Sequence, residues 1–241
     1  MRAAEARRRR RRLWLIWAGT AVIVIGAAVG ITLGVTGGSS APSLRLAKLS
    51  TLGTFQEAPA AGALGAEGVP VPSAAALAGP GSTGSGPTAG GQAIDGISCQ
   101  TTEQTLFHIH AHLTIFVNGA ARQIPAAVGI PGARAQSTPN GPFIGSGTCF
   151  YWLHTHAPDG IIHIESPVHR TYTLGNFFDE WGQPLSTNQV GPATGPVVAL
   201  YNGQVYQGNL RDIPLDAHAQ IQLEVGKPLI APEQITFPNG L

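Results

Sequence analysis

Between Phe107 and Val117 the chain reads FHIHAHLTIFV, and no other stretch constrains the fold as strongly. Odd positions carry Phe, Ile, Ala, Leu, Ile and Val, while the even ones open with His108, His110 and His112. Successive side chains of a strand point to opposite faces, so this period of two predicts a strand with one core face and one histidine face. Asn118-Gly119 comes next as a hairpin signal, and Asn202-Gly203 repeats it between 197–201 and 204–206. A last strand is expected over 217–225, where Ala217, Ala219, Ile221, Leu223 and Val225 alternate with His218, Gln220, Gln222 and Glu224. One short helix is expected over 177–181, capped by Asn176 and stopped by Gly182. These elements predict a mainly β fold, an antiparallel sandwich or small barrel with one short helix.

A different signal marks the N-terminus. Arg2 and the arginines at 7–12 supply seven of the fourteen basic residues, and residues 13–36 behind them carry no charge. About 20 apolar residues span a bilayer as a helix. A transmembrane helix is therefore expected over 13–36, after a cytoplasmic basic tail at 1–12. Basic residues collect on the cytoplasmic side of such spans, which makes 13–36 a single-pass cell-membrane anchor with the remainder of the chain outside; Trp14 and Trp17 suit the inner interface. The competing reading is a cleaved signal peptide, whose apolar core is usually shorter, roughly 7–15 residues; a twin-arginine export signal is a weaker variant, since six consecutive arginines match almost any arginine-pair pattern. All three routes export residues 37–241. From residue 37 onward seven Lys/Arg stand against twelve Asp/Glu, a net charge of −5, which argues against a nucleic-acid surface.

Residues 37–92 are dominated by Gly, Ala, Pro and Ser and read as a linker, within which the less biased stretch 44–55 is open to packing locally or on the domain. The folded domain is then 93–241, an ordinary size for one core. Its two cysteines, Cys99 and Cys149, are expected to pair in an exported chain. Closing that loop would stabilise the fold by about 4 kcal/mol on the chain-entropy estimate. The alternative is two buried free thiols.

All eight histidines lie between positions 108 and 218. Side chains at i and i+2 on a strand sit about 6.6 Å apart, so His108 and His112 are roughly 13 Å apart and cannot share one ion. The second group is LHTHAPDGIIHIE, from 153 to 165. A two-residue Asp159-Gly160 turn would set His156 opposite His163 and His154 opposite Glu165. A four-residue loop, 157–160, also keeps His163 on the face of His154, whereas a three-residue loop sends it to the other face. Even registers place Ile162 and Ile164 in the core with Tyr151 and Leu153, and are preferred. The candidate metal ligands are His108, His110, His112, His154, His156, His163 and Glu165, for zinc or copper(II). Glu165 would serve as ligand or as an orienting partner. Phe150 and Trp152 would dry the edge of the histidine side. His169 and His218 lack partners by spacing and are expected in surface or capping roles. The only methionine is Met1, so no thioether is available for a blue-copper or Cu(I) site.

Three function classes stay open. One is a metal-binding module at the cell surface. The second is a metal-dependent enzyme with an open three-histidine site and Glu165 or Asp159 as proton acceptor. The third is a metal-free interaction domain, with the histidines as a polar or pH-sensitive face. No Gly-x-Ser-x-Gly elbow occurs, and a paired Cys149 is no nucleophile. The sequence names no protein partner.

The segments FHIHAHLTIFVNG, CFYWLHTHAPDGIIHIESP and YTLGNFFDEWG resemble a family of uncharacterised exported histidine-rich β-domain proteins from bacteria and archaea. The resemblance spans most of 94–225 and implies one intact domain. It transfers no reaction and no ligand.

Overall fold

The computed structural model of the protein describes residues 44–80 and 91–241. The basic tail 1–12 and the expected membrane helix 13–36 lie outside the described residues. Among those described, no helix is long and apolar enough to cross a membrane.

The alternating stretch forms the central strand of an eight-stranded sheet. In chain order its strands are β1 (Leu46–Ala47), β2 (Phe107–Val117), β3 (Ala120–Arg122), β4 (Leu153–His154), β5 (Ile161–Ser166), β6 (Val197–Tyr201), β7 (Gln204–Tyr206) and β8 (Gln220–Val225). In space the order is β1-β7-β6-β8-β2-β5-β4, and β3 also pairs with β2. Both expected hairpins form. Asn118 and Gly119 have φ of 52° and 77°, Asn202 and Gly203 of 48° and 76°, the left-handed pair that a type I′ turn needs.

One pairing corrects the antiparallel expectation: β8 runs parallel to β2, from Gln220 opposite His112 to Val225 opposite Val117. Alternation decides which face a side chain takes, but no short loop joins these strands to set their direction. The sheet is mixed, and among the described residues it does not close into a barrel. Its edges, β1 and β4, are two-residue strands.

One face of the sheet is the main core. Ala111, Leu113 and Ile115 of β2, Ile162 and Ile164 of β5, and Ile221, Leu223 and Val225 of β8 cluster there with helix α1 (Leu174–Trp181). Leu174, Phe177, Phe178 and Trp181 of the helix are fully buried in it. The helix begins earlier than expected. Its N-cap is Thr173, whose Oγ1 accepts from the Asn176 N–H, while Asn176 Oδ1 accepts from the Thr173 N–H. Asn176 is thus the inner half of a capping box, and burial of Leu174 extends the first turn. Gly182 ends the helix at φ 69°, as expected.

The second face is covered too. Gln222 and Glu224, which alternation places opposite the core, are buried beneath the C-terminal segment. Gln222 Nε2 donates to Glu224 Oε1 at 2.6 Å and to the Ile230 carbonyl at 3.0 Å, and Gln222 Oε1 accepts from the Glu233 N–H. Residues 44–80 also pack on the domain: the stretch 44–55, left open to that by the sequence, and 56–80, expected as linker. Gln56 and Leu229 share a backbone hydrogen bond, Leu77 and Gln123 another, and Val69 is fully buried. Their Gly/Ala/Pro composition offers little apolar volume, so attachment runs mainly through backbone groups. The expected disulfide joins Cys99 to Cys149, with Cα atoms 5.4 Å apart.

Burial pushes the Glu224 carboxyl up to about 7, Glu233 adds to the rise, and Gln222, the Ile230 N–H and Lys227 oppose it. The folded state therefore holds this proton more tightly than the unfolded chain. Its contribution to stability is complete below the ordinary value of 4.5 and lost as pH rises through about 7. In urea unfolding across that window, Glu224→Gln is expected to gain stability on the parent as pH rises. Parallel profiles for the two would contradict this.

Candidate metal centre

The histidines occupy the face opposite α1, at the β2-β5-β4 end of the sheet. His108 lies opposite Glu165 and His110 opposite His163 across β2 and β5. On the other side of β5, His154 lies opposite His163. His110, His163 and His154 thus form one rung across three strands, with His156 two residues beyond. His163 shares the face of His154, as both even registers require, but pairs with it rather than with His156, which rules out the two-residue turn. The reason is visible at Gly160, where residues 155–160 leave the ladder and fold against β2. The Leu113 N–H donates to the Gly160 carbonyl at 2.9 Å. At φ 86°, a Cβ on Gly160 would lie 2.5 Å from the Leu113 carbonyl oxygen, an approach that only glycine allows.

His110, His112, His154, His156 and His163 are all buried, at 7% exposure or less. The His108 side chain remains 38% exposed. A solvated polar face is therefore not what these residues make.

Hydrogen bonds set the tautomers of the second pair. His154 Nδ1–H donates to the Tyr151 carbonyl at 2.8 Å, and His156 Nδ1–H donates to the Ile144 carbonyl at 2.5 Å. Carbonyls only accept, so both protons sit on Nδ1. Burial, helped by the nearby His163 charge, holds both rings below the ordinary imidazole value, which leaves both Nε2 atoms unprotonated. These two Nε2 atoms face each other at 3.2 Å. Two lone pairs meet with no hydrogen to share. A cation between them removes the conflict, since Zn–N bonds of about 2.0–2.1 Å space tetrahedral donors about 3.3 Å apart.

The first pair belongs to a ring of four donors. His108 Nε2 is 3.1 Å from His110 Nε2, which is 3.1 Å from His163 Nδ1. Glu165 Oε1 closes the ring at 3.3 Å from His163 Nδ1 and 3.1 Å from His108 Nε2. Burial and the neighbouring His163 push His110 down to about 3. Burial also opposes charge on His163, but Glu165 and Glu67 outweigh it and lift the ring to about 9. Two groups of four, His108/His110/His163/Glu165 and His154/His156/His163/Glu165, keep their donor atoms within 4.8 Å of one another. This buried histidine and glutamate cluster could hold a metal ion.

His112 stands apart from both groups. Its Nε2–H donates to the Asp159 carbonyl at 2.9 Å, and with Asp159, Thr114 and Arg122 it lines a cavity of about 650 Å³. Burial pushes the Asp159 carboxyl up to about 7, and the charge of Glu67 adds to the rise. Phe150 borders His154 at 5.7 Å between ring centroids, as expected, whereas Trp152 packs edge-on against Tyr172. His169 and His218 are exposed, against Phe107 and Phe237 respectively.

Three neighbours of the cluster escape sequence reasoning. Glu67 reaches His163 Nε2 with Oε1 at 2.6 Å, though it lies in the segment read as linker. Glu103 sits 3.6 Å from His156 Nε2 with its side chain 38% exposed. Phe143 stacks on His156 with centroids 4.6 Å apart. The one signal for Glu67 is its charge, since it and Glu57 are the only acidic residues in 37–92.

Comparison with family models, curated proteins and solved structures finds no match. The functional reading therefore rests on the geometry of the site.

His112→Ala is expected to cost about 1–3 kcal/mol of stability, because the buried Asp159 carbonyl loses its donor. Metal retention, measured by elemental analysis, should not change. Loss of metal in this variant would place His112 in a coordination shell.

Proposed function

We propose that the protein binds a transition-metal ion, zinc or copper(II), through this cluster, as an extracytoplasmic domain tethered to the membrane by residues 13–36. The observation that carries the reading is the meeting of the His154 and His156 Nε2 lone pairs, each fixed from behind by a backbone carbonyl. Buried acceptors without donors are costly, and an ion converts that cost into binding. The backbone carbonyls hold the rings in the tautomer that ligation needs. Imidazole and carboxylate donors without thiolate or thioether suit zinc and copper(II). Burial of five histidines weighs against a metal-free polar surface. The arginine run, the uncharged 13–36 segment and the disulfide support an exported, anchored domain. A metal-dependent enzyme is the second reading, favoured by the half-exposed Glu103 beside His156, where an ion would keep a position open to solvent.

Full-length protein purified without a histidine tag is expected to carry at least one zinc or copper ion per chain by elemental analysis. The His110→Ala, His154→Ala double variant removes one ligand from each group and should fall well below one. No metal in the parent, even after reconstitution, would overturn the proposal. Glu67→Gln should fold normally and bind metal about 10–100-fold more weakly, the usual effect of losing a partner that orients a ligand.

A further inference from the structure

Both four-donor groups include His163 and Glu165, and each lone pair can serve only one ion. The His163 Nε2 edge is taken by Glu67 at 2.6 Å. That leaves Nδ1, which faces His110 at 3.1 Å and Glu165 Oε1 at 3.3 Å, so the His163 ring belongs to the His108/His110 group. A carboxylate is different because it has two oxygens. Glu165 Oε1 closes the ring of His108, His110 and His163. Glu165 Oε2 is buried, has no hydrogen-bond partner among the described residues, and lies 3.9 Å from His154 Nε2.

We infer that the cluster is a two-metal centre bridged by the Glu165 carboxylate, one ion in a closed shell and the other in an open one. This rests on the metal-binding reading above. The closed ion takes His108 Nε2, His110 Nε2, His163 Nδ1 and Glu165 Oε1. The open ion takes His154 Nε2, His156 Nε2 and Glu165 Oε2, three protein donors, and its remaining side is bordered by Glu103, whose part-exposed side chain lies 3.6 Å from His156 Nε2. Paired ions that share such a bridge sit about 3.5–4 Å apart. Glu165, Glu67 and Glu103 bring three negative charges close to the four positive charges of two divalent ions. The open position suits water, hydroxide or a small oxygen-donor anion, whereas the closed site has no such vacancy.

The test loads the metal-free, untagged full-length chain with Cu(II) to saturation. Bound copper is counted by elemental analysis, and electron paramagnetic resonance is recorded on the same sample. The expected result is two ions per chain with a half-field signal from the coupled pair. The His154→Ala, His156→Ala variant should keep one ion and lose that signal. One ion per chain at saturation in the parent, or two without coupling, would overturn the bridged pair while leaving metal binding intact. No bound copper would overturn both. The parent alone decides these outcomes, whether or not the variant folds.

Discussion

Burial of a histidine row on the second face of the central strand is the constraint on which the rest of the structure depends. A strand with one apolar face can leave the other to water, but here both faces are covered. The apolar face takes α1, and the opposite face takes the segment 44–80, the C-terminal residues and the return of the chain from β4 to β5. That burial forces every imidazole to find a partner. His112 finds the Asp159 carbonyl, His154 and His156 find backbone carbonyls through Nδ1, and His163 lies between two carboxylates. The Nε2 atoms of His154 and His156 then face each other.

The electrostatics of the site complement this geometry. Rings held neutral by burial surround His163, whose charge is kept by Glu67 and Glu165. A proton on His163 and a metal ion are alternative sources of positive charge for the same carboxylates. Backbone carbonyls behind His154 and His156, and Glu67 behind His163, fix the orientation of these candidate ligands, which would lower the cost of ordering a metal shell. Phe143 and Phe150 limit water at the His154/His156 side, and Glu103 remains at the mouth.

Much of the architecture was legible in the alternation of 107–117 and in the two Asn-Gly turns, because both are local properties of the chain. The shared face of His154 and His163 follows from the same local alternation, whereas the Cys99–Cys149 pair follows from the count of two cysteines in a chain read as exported. Direction and distant contact were not legible. Nothing in 220–225 states that it will lie parallel to the central strand, and the Asp159-Gly160 turn signal did not reveal that the chain would leave the ladder at Thr155 to pack Gly160 on Leu113. The helix cap was displaced by three residues because tertiary burial of Leu174 outweighed the local preference of Asn176. Glu67 was hidden for a related reason: a composition poor in apolar residues reads as linker even where backbone hydrogen bonds hold it down. Distance along β2 correctly separated His108 from His112, and the structure places His112 with Asp159 instead.

Metal binding as proposed requires an ion between the Nε2 atoms of His154 and His156, which lie 3.2 Å apart. Anomalous X-ray scattering, collected on either side of the zinc or copper absorption edge from crystals of the metal-loaded chain, tests it most directly. The expected map has a peak about 2.0–2.1 Å from both His154 Nε2 and His156 Nε2. A map without a peak there, with one ring turned so that an N–H joins the two imidazoles, would contradict it.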